Sequence, residues 1–499
     1  MTTADPPVGA PLPLPAEPEA APAPIEPAEV EPALVAEPDS VKPGLRIGVA
    51  LTMIVVSILL YLSAPLGIVQ ESLPLFLAAT VAVMAPLFLS RQFDPFTPAC
   101  YHALVNSVGM VAIVASLFST EELSFGGMPR LGYDERVDLL GQVSLAYIVQ
   151  SAGYCLGYYF TGGMKGLQRA LPSFPNFSWN SRRLWMVSGG LWLIFAVAYA
   201  QFQSLAKTGL FEAASAETKA VWRNEDDRMA WLFRALQLGI VPIYALTARA
   251  LSKSGNARAR PKWIAILLFL TATMALLGAR IGQRGFAIIM VIGLATIVHY
   301  VWRRIPTVVI LGAAFAAIVV TNYLGAVRTN TDTSTTRVSS AFTRPSDVLA
   351  RLEEDRDHLA AAGCAMYYFP ERHDYLKGTT FLNIVLFPIP RALWPEKNRL
   401  IPMSENGIVW ELIKVPAPMP FPFVFYANFG WVGMFVCMAL WGAFHKTLFK
   451  WVHQSRYQPG VVAIYATTLV TFTPTSSGVA YLLGGAVPLF ILMKMMKRN

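Results

Sequence analysis

Charge is scarce in this 499-residue chain: Asp, Glu, Lys and Arg together make up 14% of it, against 55% hydrophobic residues and a mean hydropathy of +0.47. A soluble globular domain carries about a quarter charged residues, so cytosolic enzymes and soluble binding modules are excluded and a polytopic membrane protein is expected. The 40 Lys and Arg against 31 Asp and Glu therefore mark membrane topology and, more weakly, attraction to anionic membrane lipids; no nucleic-acid partner is needed to explain them. Cysteine is nearly absent. Positions 100, 155, 364 and 437 show no Cys-x-x-Cys spacing and three of them lie in apolar runs, so neither a disulfide framework nor a zinc site is implied, and Cys364 reads as a lone thiol. There is no His-Glu-x-x-His, no carboxylate cluster with metal spacing, no Walker A loop and no dinucleotide fingerprint, so neither a cofactor nor a dedicated metal site is expected, and ATP is not the energy source.

Aromatics are missing altogether from residues 1–44, which hold 12 of the 36 prolines and eight acidic residues against one basic residue. Such a tail cannot bury enough apolar surface to offset its ordering entropy, and it is expected to be a disordered cytoplasmic segment. A span needs roughly 20 apolar residues to cross the hydrocarbon core. That rule places transmembrane helices near 46–63, 73–90, 99–118, 138–160, 184–202, 229–248, 263–279, 284–302, 305–323, 422–444, 459–473 and 477–494. The expected fold class is thus an all-α polytopic membrane protein with about twelve transmembrane helices. Its segments are the tail 1–44, helices 1 to 9 over 45–323, a long loop over 324–421, and helices 10 to 12 with a short C-terminus over 422–499.

Basic residues recur in alternate connections: Lys165, Arg169, Arg182 and Arg183; Arg249, Lys253, Arg258, Arg260 and Lys262; Arg303 and Arg304; Lys446, Lys450 and Arg456; Lys494, Lys497 and Arg498. Short cytoplasmic loops carry such an excess, so both termini are expected in the cytoplasm and the long loop outside it. That loop contains an amphipathic helical pattern around 345–365 and then a Pro- and aromatic-rich stretch from Phe369 to Pro422.

Chemistry-bearing residues concentrate on the outer side. Gly278-Ala-Arg280-Ile-Gly-Gln-Arg284-Gly285 is a tight turn that places two arginines where the orientation rule does not call for them. Two readings stand: snorkelling helix-end cations, or an anion site in which arginine forks meet phosphate oxygens and the glycines let backbone amides approach. Arg328 faces the same compartment. Arg223, Arg228 and Arg234 are further cations, the first two matched by Glu225, Asp226 and Asp227. The loop supplies acid–base groups in Glu371-Arg372-His373-Asp374-Tyr375 and in Asp355-Arg356-Asp357-His358, either as catalysts for a hydroxyl nucleophile or as a solvated surface. His102, His299, His445 and His453 read as structural.

Three stretches carry a resemblance: Tyr375-Leu-Lys-Gly378-Thr-Thr, Phe387-Pro-Ile-Pro390-Arg391-Ala-Leu-Trp394-Pro-Glu-Lys397, and Phe425-Tyr-Ala-Asn428-Phe-Gly430-Trp-Val-Gly433. In this order, after an Arg-Gly hairpin, they resemble the Wzy-type oligosaccharide repeat-unit polymerases, also called O-antigen polymerases. The resemblance covers residues 278–440. It implies a GT-C-like, metal-independent glycosyltransferase of the bacterial inner membrane, working on undecaprenyl-diphosphate-linked oligosaccharides at the periplasmic face, with a flippase and a chain-length regulator as partners. It further implies that Arg280, Arg284, Arg328 and Arg391 bind the diphosphate, that His373 with Glu371 or Asp374 activates the acceptor hydroxyl, and that Tyr375, Trp394, Lys397 and Tyr426 contact the glycan. Arg391 has a second reading as a partner of Glu396, and the aromatics one as interface-belt residues. An O-antigen ligase uses the same donor, and a lipid-linked-oligosaccharide flippase is the rival from another class. A coupled transporter would place its charges near the bilayer midplane, whereas here they gather at span ends.

Overall fold

A computed structural model of the chain describes residues 67–90, 94–119, 132–172, 180–206, 237–252, 265–274, 284–306, 358–386, 419–473 and 482–496, with a few isolated positions besides. All of them fall in one unit, Val41–Asn499. The tail 1–44, most of the spans expected at 46–63 and 305–323, and the loop portion 345–357 lie outside the described residues.

Every extended element among the described residues is a helix. In chain order they are α1 (Gly67–Leu89), α2 (Pro98–Ser119), α3 (Tyr133–Cys155), α4 (Lys165–Ala170), α5 (Ser181–Ala206), α6 (Ile240–Leu251), α7 (Ala265–Met274), α8 (Arg284–Val301), α9 (His358–Tyr368), α10 (Thr379–Leu386), α11 (Phe421–Gln454), α12 (Pro459–Thr471) and α13 (Val487–Met496). A π-turn, Leu156–Phe160, prolongs α3, and another, Leu482–Ala486, precedes α13. Local chemistry explains the starts. Pro459 opens α12 at a position where its missing N–H costs no helical bond. At the start of α3 the Glu135 carboxylate accepts the Gly132 N–H at 2.9 Å, and Asp134 and Glu135 complement the helix dipole.

Among the described residues, four helices are long and apolar enough to cross a membrane, within Glu71–Leu89, Asp134–Phe160, Ser181–Gln201 and Phe421–Gln454, and shorter apolar helices accompany them. Large apolar side chains point outward along them, among them Leu193 and Val197 on α5 and Val432, Val436 and Leu440 on α11. A stripe of this kind is an aggregation liability in water and a normal surface in lipid. The protein is a helical membrane protein.

Helix direction follows from pairwise contacts. Tyr147 meets the Phe423 ring at 5.8 Å and Gly442 lies against the Tyr154 carbonyl, so α3 and α11 run parallel. Leu75 beside Gly141, and the Tyr159 hydroxyl donating to the Pro86 carbonyl at 2.7 Å, make α1 parallel to both. The start of α2 stacks on the end of α3 through His102 and Tyr154, so α2 runs the other way. Likewise α5 opposes α6, since Arg249 reaches Ser181 while Gly239 lies beside Phe195. The end of α8 meets the approach to α12 through Tyr300 and Tyr457 and the middle of α12 through Tyr300 and Tyr465, and Met493 of α13 packs on Gly460 at the start of α12.

The bundle therefore has two ends. The first, where α1, α3 and α11 begin, carries Glu71, Asp134, Glu135, Asp138, Glu371 and Asp374 with Arg136, Arg372 and Lys377. The second, where they finish, gathers Lys165, Arg169, Arg182, Arg183, Arg249, Arg303, Arg304, Lys450, Arg456 and Lys494. Contacts from distant parts of the chain converge there: Lys450 Nζ donates to the Gly162 carbonyl at 2.8 Å, Gln168 to Gln454 at 3.1 Å, and the Trp451 indole to the Pro172 carbonyl at 2.9 Å.

Among the described residues two large packed groups fill the interior, with a small third around Leu87, Cys100 and Ala103. One large group is built on α1, α3, α9 and α11 around Tyr154, Phe423 and Met434, the other on α5, α6, α8, α12 and α13 around Tyr244, Met290 and Tyr465. Lipid tails are as apolar as leucine, so helices in a bilayer associate through close packing and small residues rather than hydrophobic burial. Gly153 and Gly157 of the α3 segment serve that purpose, lying against the Phe435 and Ala439 carbonyls of α11.

Candidate functional site

The candidate site lies at the first end, where residues 369–380 are laid over a break in α11. The 34-residue α11 is not one continuous helix: Gly430 has φ 68° and ψ −162°, a conformation essentially reserved for glycine. A break strands carbonyls that a continuous helix would use, and each needs a donor. The loop supplies them. Leu376 N donates to the Ala427 carbonyl at 3.0 Å and Lys377 N to the Asn428 carbonyl at 3.1 Å.

The Asn428 side chain completes the junction. It accepts the Gly378 N–H at 3.0 Å and donates to Thr380 Oγ1 and to the Val424 carbonyl, both at 2.7 Å, and the residue is 1% exposed. The loop turns on Lys377 (φ 50°) and Gly378 (φ 84°), and Thr379 Oγ1 returns to the Leu376 carbonyl at 2.7 Å. Phe381 stacks on Phe429 at 5.9 Å and on Phe425 at 5.8 Å, anchoring α10 to the first half of α11. Tyr375 is half-buried, with its hydroxyl over the Gly430 backbone and its ring edge-on to Tyr426 at 6.1 Å. Tyr426 is buried and donates to the Phe369 carbonyl at 3.1 Å, so Tyr375 is the member of the pair that reaches the surface.

Just before this junction stand Glu371, His373 and Asp374, all exposed. The His373 ring leans on Tyr368 at 5.8 Å and Phe369 at 6.2 Å, and the backbone N–H groups of His373 and Arg372 both donate to the Tyr368 carbonyl. Among the described residues no hydrogen bond or ion pair joins His373 to either carboxylate. Arg372 is occupied locally: it donates to the Tyr367 carbonyl at 2.7 Å, covers the Tyr367 ring at 3.6 Å and approaches Glu371 at 4.0 Å. Cys364 on α9 is fully buried, and burial pushes its thiol up to about 12.

Of the expected diphosphate ligands, Arg284 is the first residue of α8. Since α8 finishes at the second end, its 18 residues carry Arg284 about 27 Å toward the first. Arg280, Arg328, Arg391 and Lys397 lie outside the described residues, as do Arg223, Arg228 and Arg234, and Trp394 is a single half-buried position between undescribed neighbours.

Two polar clusters occupy the second end. Asp94, in the connection between α1 and α2, accepts Phe96 N at 2.9 Å and the Tyr300 hydroxyl at 2.8 Å, and faces His299 Nε2 at 3.6 Å. Ile305 N donates to His299 Nδ1 at 3.2 Å, which places the ring proton on Nε2, toward Asp94. Burial alone would raise the Asp94 pKa, but the His299 ring, the Tyr300 hydroxyl and the Phe96 amide outweigh it and hold the carboxyl below its usual range. With both nitrogens turned to protein groups, His299 ties α8 to the α1–α2 connection. Deeper in the bundle, His102 stacks on Tyr154 at 3.8 Å and Tyr154 hydrogen-bonds His445 Nδ1 at 2.9 Å.

The Asn428 junction and the Asp94 cluster were the features that sequence reasoning passed over. Their signals were an amide just before a glycine in an apolar helix, and a lone acid in Asp94-Pro-Phe-Thr-Pro98 within a basic side of the molecule. Comparison with family models, with curated proteins and with solved structures gives no match to this chain.

Proposed function

We propose that the protein is a metal-independent glycosyltransferase that polymerises undecaprenyl-diphosphate-linked oligosaccharide repeat units at the periplasmic face of a bacterial inner membrane. The observation that carries this reading is the junction at the first end. Two of the three stretches that resemble the repeat-unit polymerases, 375–380 and 425–433, are far apart in sequence and yet form one hydrogen-bonded unit around Asn428. The separation of charge supports it: the basic second end suits the cytoplasm, which leaves the junction and the Glu371–Asp374 segment on the outer side with both termini inside.

In this reaction an acceptor hydroxyl of one repeat unit attacks the anomeric carbon of the growing chain and the lipid diphosphate departs. His373, with Glu371 or Asp374, takes the hydroxyl proton. Arg280, Arg284, Arg328 and Arg391 stabilise the charge that develops on the diphosphate. Tyr375, Trp394 and Lys397 line the glycan path, and Tyr426, expected from the sequence to contact the glycan, is buried and instead supports Tyr375 from behind.

The break in α11 also favours a second reading, a lipid-linked-oligosaccharide flippase, because broken helices form the binding sites of many carriers. One experiment separates the two. The purified protein is placed in liposomes with its lipid-linked repeat unit, without ATP, and the products are resolved by gel. A ladder spaced by one repeat unit is expected. A single unchanged band from a substrate that a control polymerase extends would overturn the polymerase reading, and translocation of the substrate without a ladder would establish the flippase.

A further inference from the structure

We infer that Asn428 is a positioning residue of the polymerase site, setting where Tyr375 and the Glu371–Asp374 segment meet the substrate; this rests on the reading given above. Asn428 is too deeply buried to touch a glycan, so it acts only through what it holds. Its carboxamide and its own carbonyl together fix positions 377, 378 and 380 of the loop. Those bonds hold Lys377 in a left-handed conformation that a lysine leaves when released. Relaxation there would draw Tyr375 away from Gly430 and move His373 and Asp374, which sit within four residues of the turn.

The helix break does not depend on the clamp. Gly430 sets the break by its own backbone, and Leu376 still caps Ala427 when the Asn428 side chain is removed. A variant without the carboxamide is therefore expected to insert and pack, with the loop out of register. That separates positioning from simple folding, because KM does not change with the fraction of active molecules, whereas a folding defect lowers only the apparent kcat.

The test uses the full-length protein in liposomes, with KM for the lipid-linked repeat unit and kcat per inserted molecule measured for Asn428→Ala, Thr380→Val and Thr380→Ser. Thr380→Val is expected to raise KM roughly tenfold, the factor that one lost hydrogen bond of ordinary strength produces, and Asn428→Ala, which removes that bond and two others, is expected to raise it at least as much. Thr380→Ser keeps the acceptor oxygen and is expected to retain the wild-type KM. The double variant Asn428→Ala/Thr380→Val is expected to be no worse than Asn428→Ala alone, because both remove one shared interaction. An unchanged KM in Asn428→Ala and Thr380→Val, whatever the kcat per inserted molecule, would overturn the inference and leave the polymerase reading intact. If Asn428→Ala does not insert, the contrast between the two Thr380 variants decides the matter. Absence of a ladder from the wild type would overturn the polymerase reading first, and this inference with it.

Discussion

Gly157, in the π-turn that prolongs α3, lies so close to the Ala439 carbonyl of α11 that a Cβ there would collide with the oxygen. The obstacle is backbone, which cannot swing aside as a side-chain tip can. Gly442 makes the reciprocal approach to the Tyr154 carbonyl one turn further on. Gly157→Ala is expected to lower the thermal midpoint in detergent, at an overpacking cost of about 1–3 kcal/mol, and Gly157→Leu to abolish a monodisperse peak in size-exclusion chromatography. A Gly157→Leu protein that elutes and melts like the wild type would show that α3 and α11 are not packed in this way.

Replacing Gly430 tests the break in α11. No L side chain adopts φ 68°, ψ −162° comfortably, and the Tyr375 hydroxyl would lie 2.9 Å from an added Cβ. Gly430→Ala is expected to destabilise the protein by about 1–3 kcal/mol and to stop ladder formation in the liposome assay. Full activity in that variant would mean that the helix is functional without its break.

Asp94 makes stability depend on acid. Its folded carboxyl titrates below the unfolded value of about 3.9. The stabilisation is therefore fully present above that unfolded value and is lost as pH falls through the lower, folded one. The melting temperature in detergent is expected to drop as pH falls below about 4. Asp94→Asn is expected to melt lower at neutral pH and to show a flatter acid limb, and parallel acid limbs in the two proteins would remove Asp94 as the cause.

Cys364 is expected to resist thiol reagents. It is shut inside α9, with its thiol pushed up to about 12 by burial, and the thiolate is the reactive form. A variant keeping Cys364 as its sole cysteine is expected to take up maleimide at pH 7 only after denaturation. Rapid labelling of the native protein would show that α9 is not packed against α3 and α11.

Arg284→Ala is expected to abolish polymer formation while the protein still inserts in the membrane, since the arginine begins α8 at the end where the junction lies. Normal polymer at normal chain length from that variant would remove Arg284 from the diphosphate site.

Helix positions were legible locally. The run expected at 99–118 is α2, Pro98–Ser119; that at 284–302 is α8, Arg284–Val301; and that at 459–473 is α12, Pro459–Thr471. Each depends only on an uninterrupted apolar stretch and its punctuation by proline or charge. The run at 422–444 was legible as a helix but not as a broken one, and its true end is Gln454, where the polar Lys450, His453 and Gln454 still belong to the last turns. At the candidate site, Tyr375, Gly378, Asn428 and Gly430 drew attention as separate short patterns, and nothing in their spacing joined them.

Composition and apolar run length by themselves determined that this chain is a helical membrane protein, because the cost of leaving backbone polar groups unpaired in lipid leaves an apolar segment of that length little choice but a helix. The side of the bundle on which basic residues gather was determined in the same way, by the order of the runs along the chain. Only the tertiary structure decided that α11 breaks at Gly430, since the break is tolerated only where the amides of Leu376 and Lys377, some 50 residues earlier, arrive to take the carbonyls it leaves behind. The same holds for Asp94, whose pKa is held low in the buried site largely because His299 and Tyr300, about 200 residues later, come to face it.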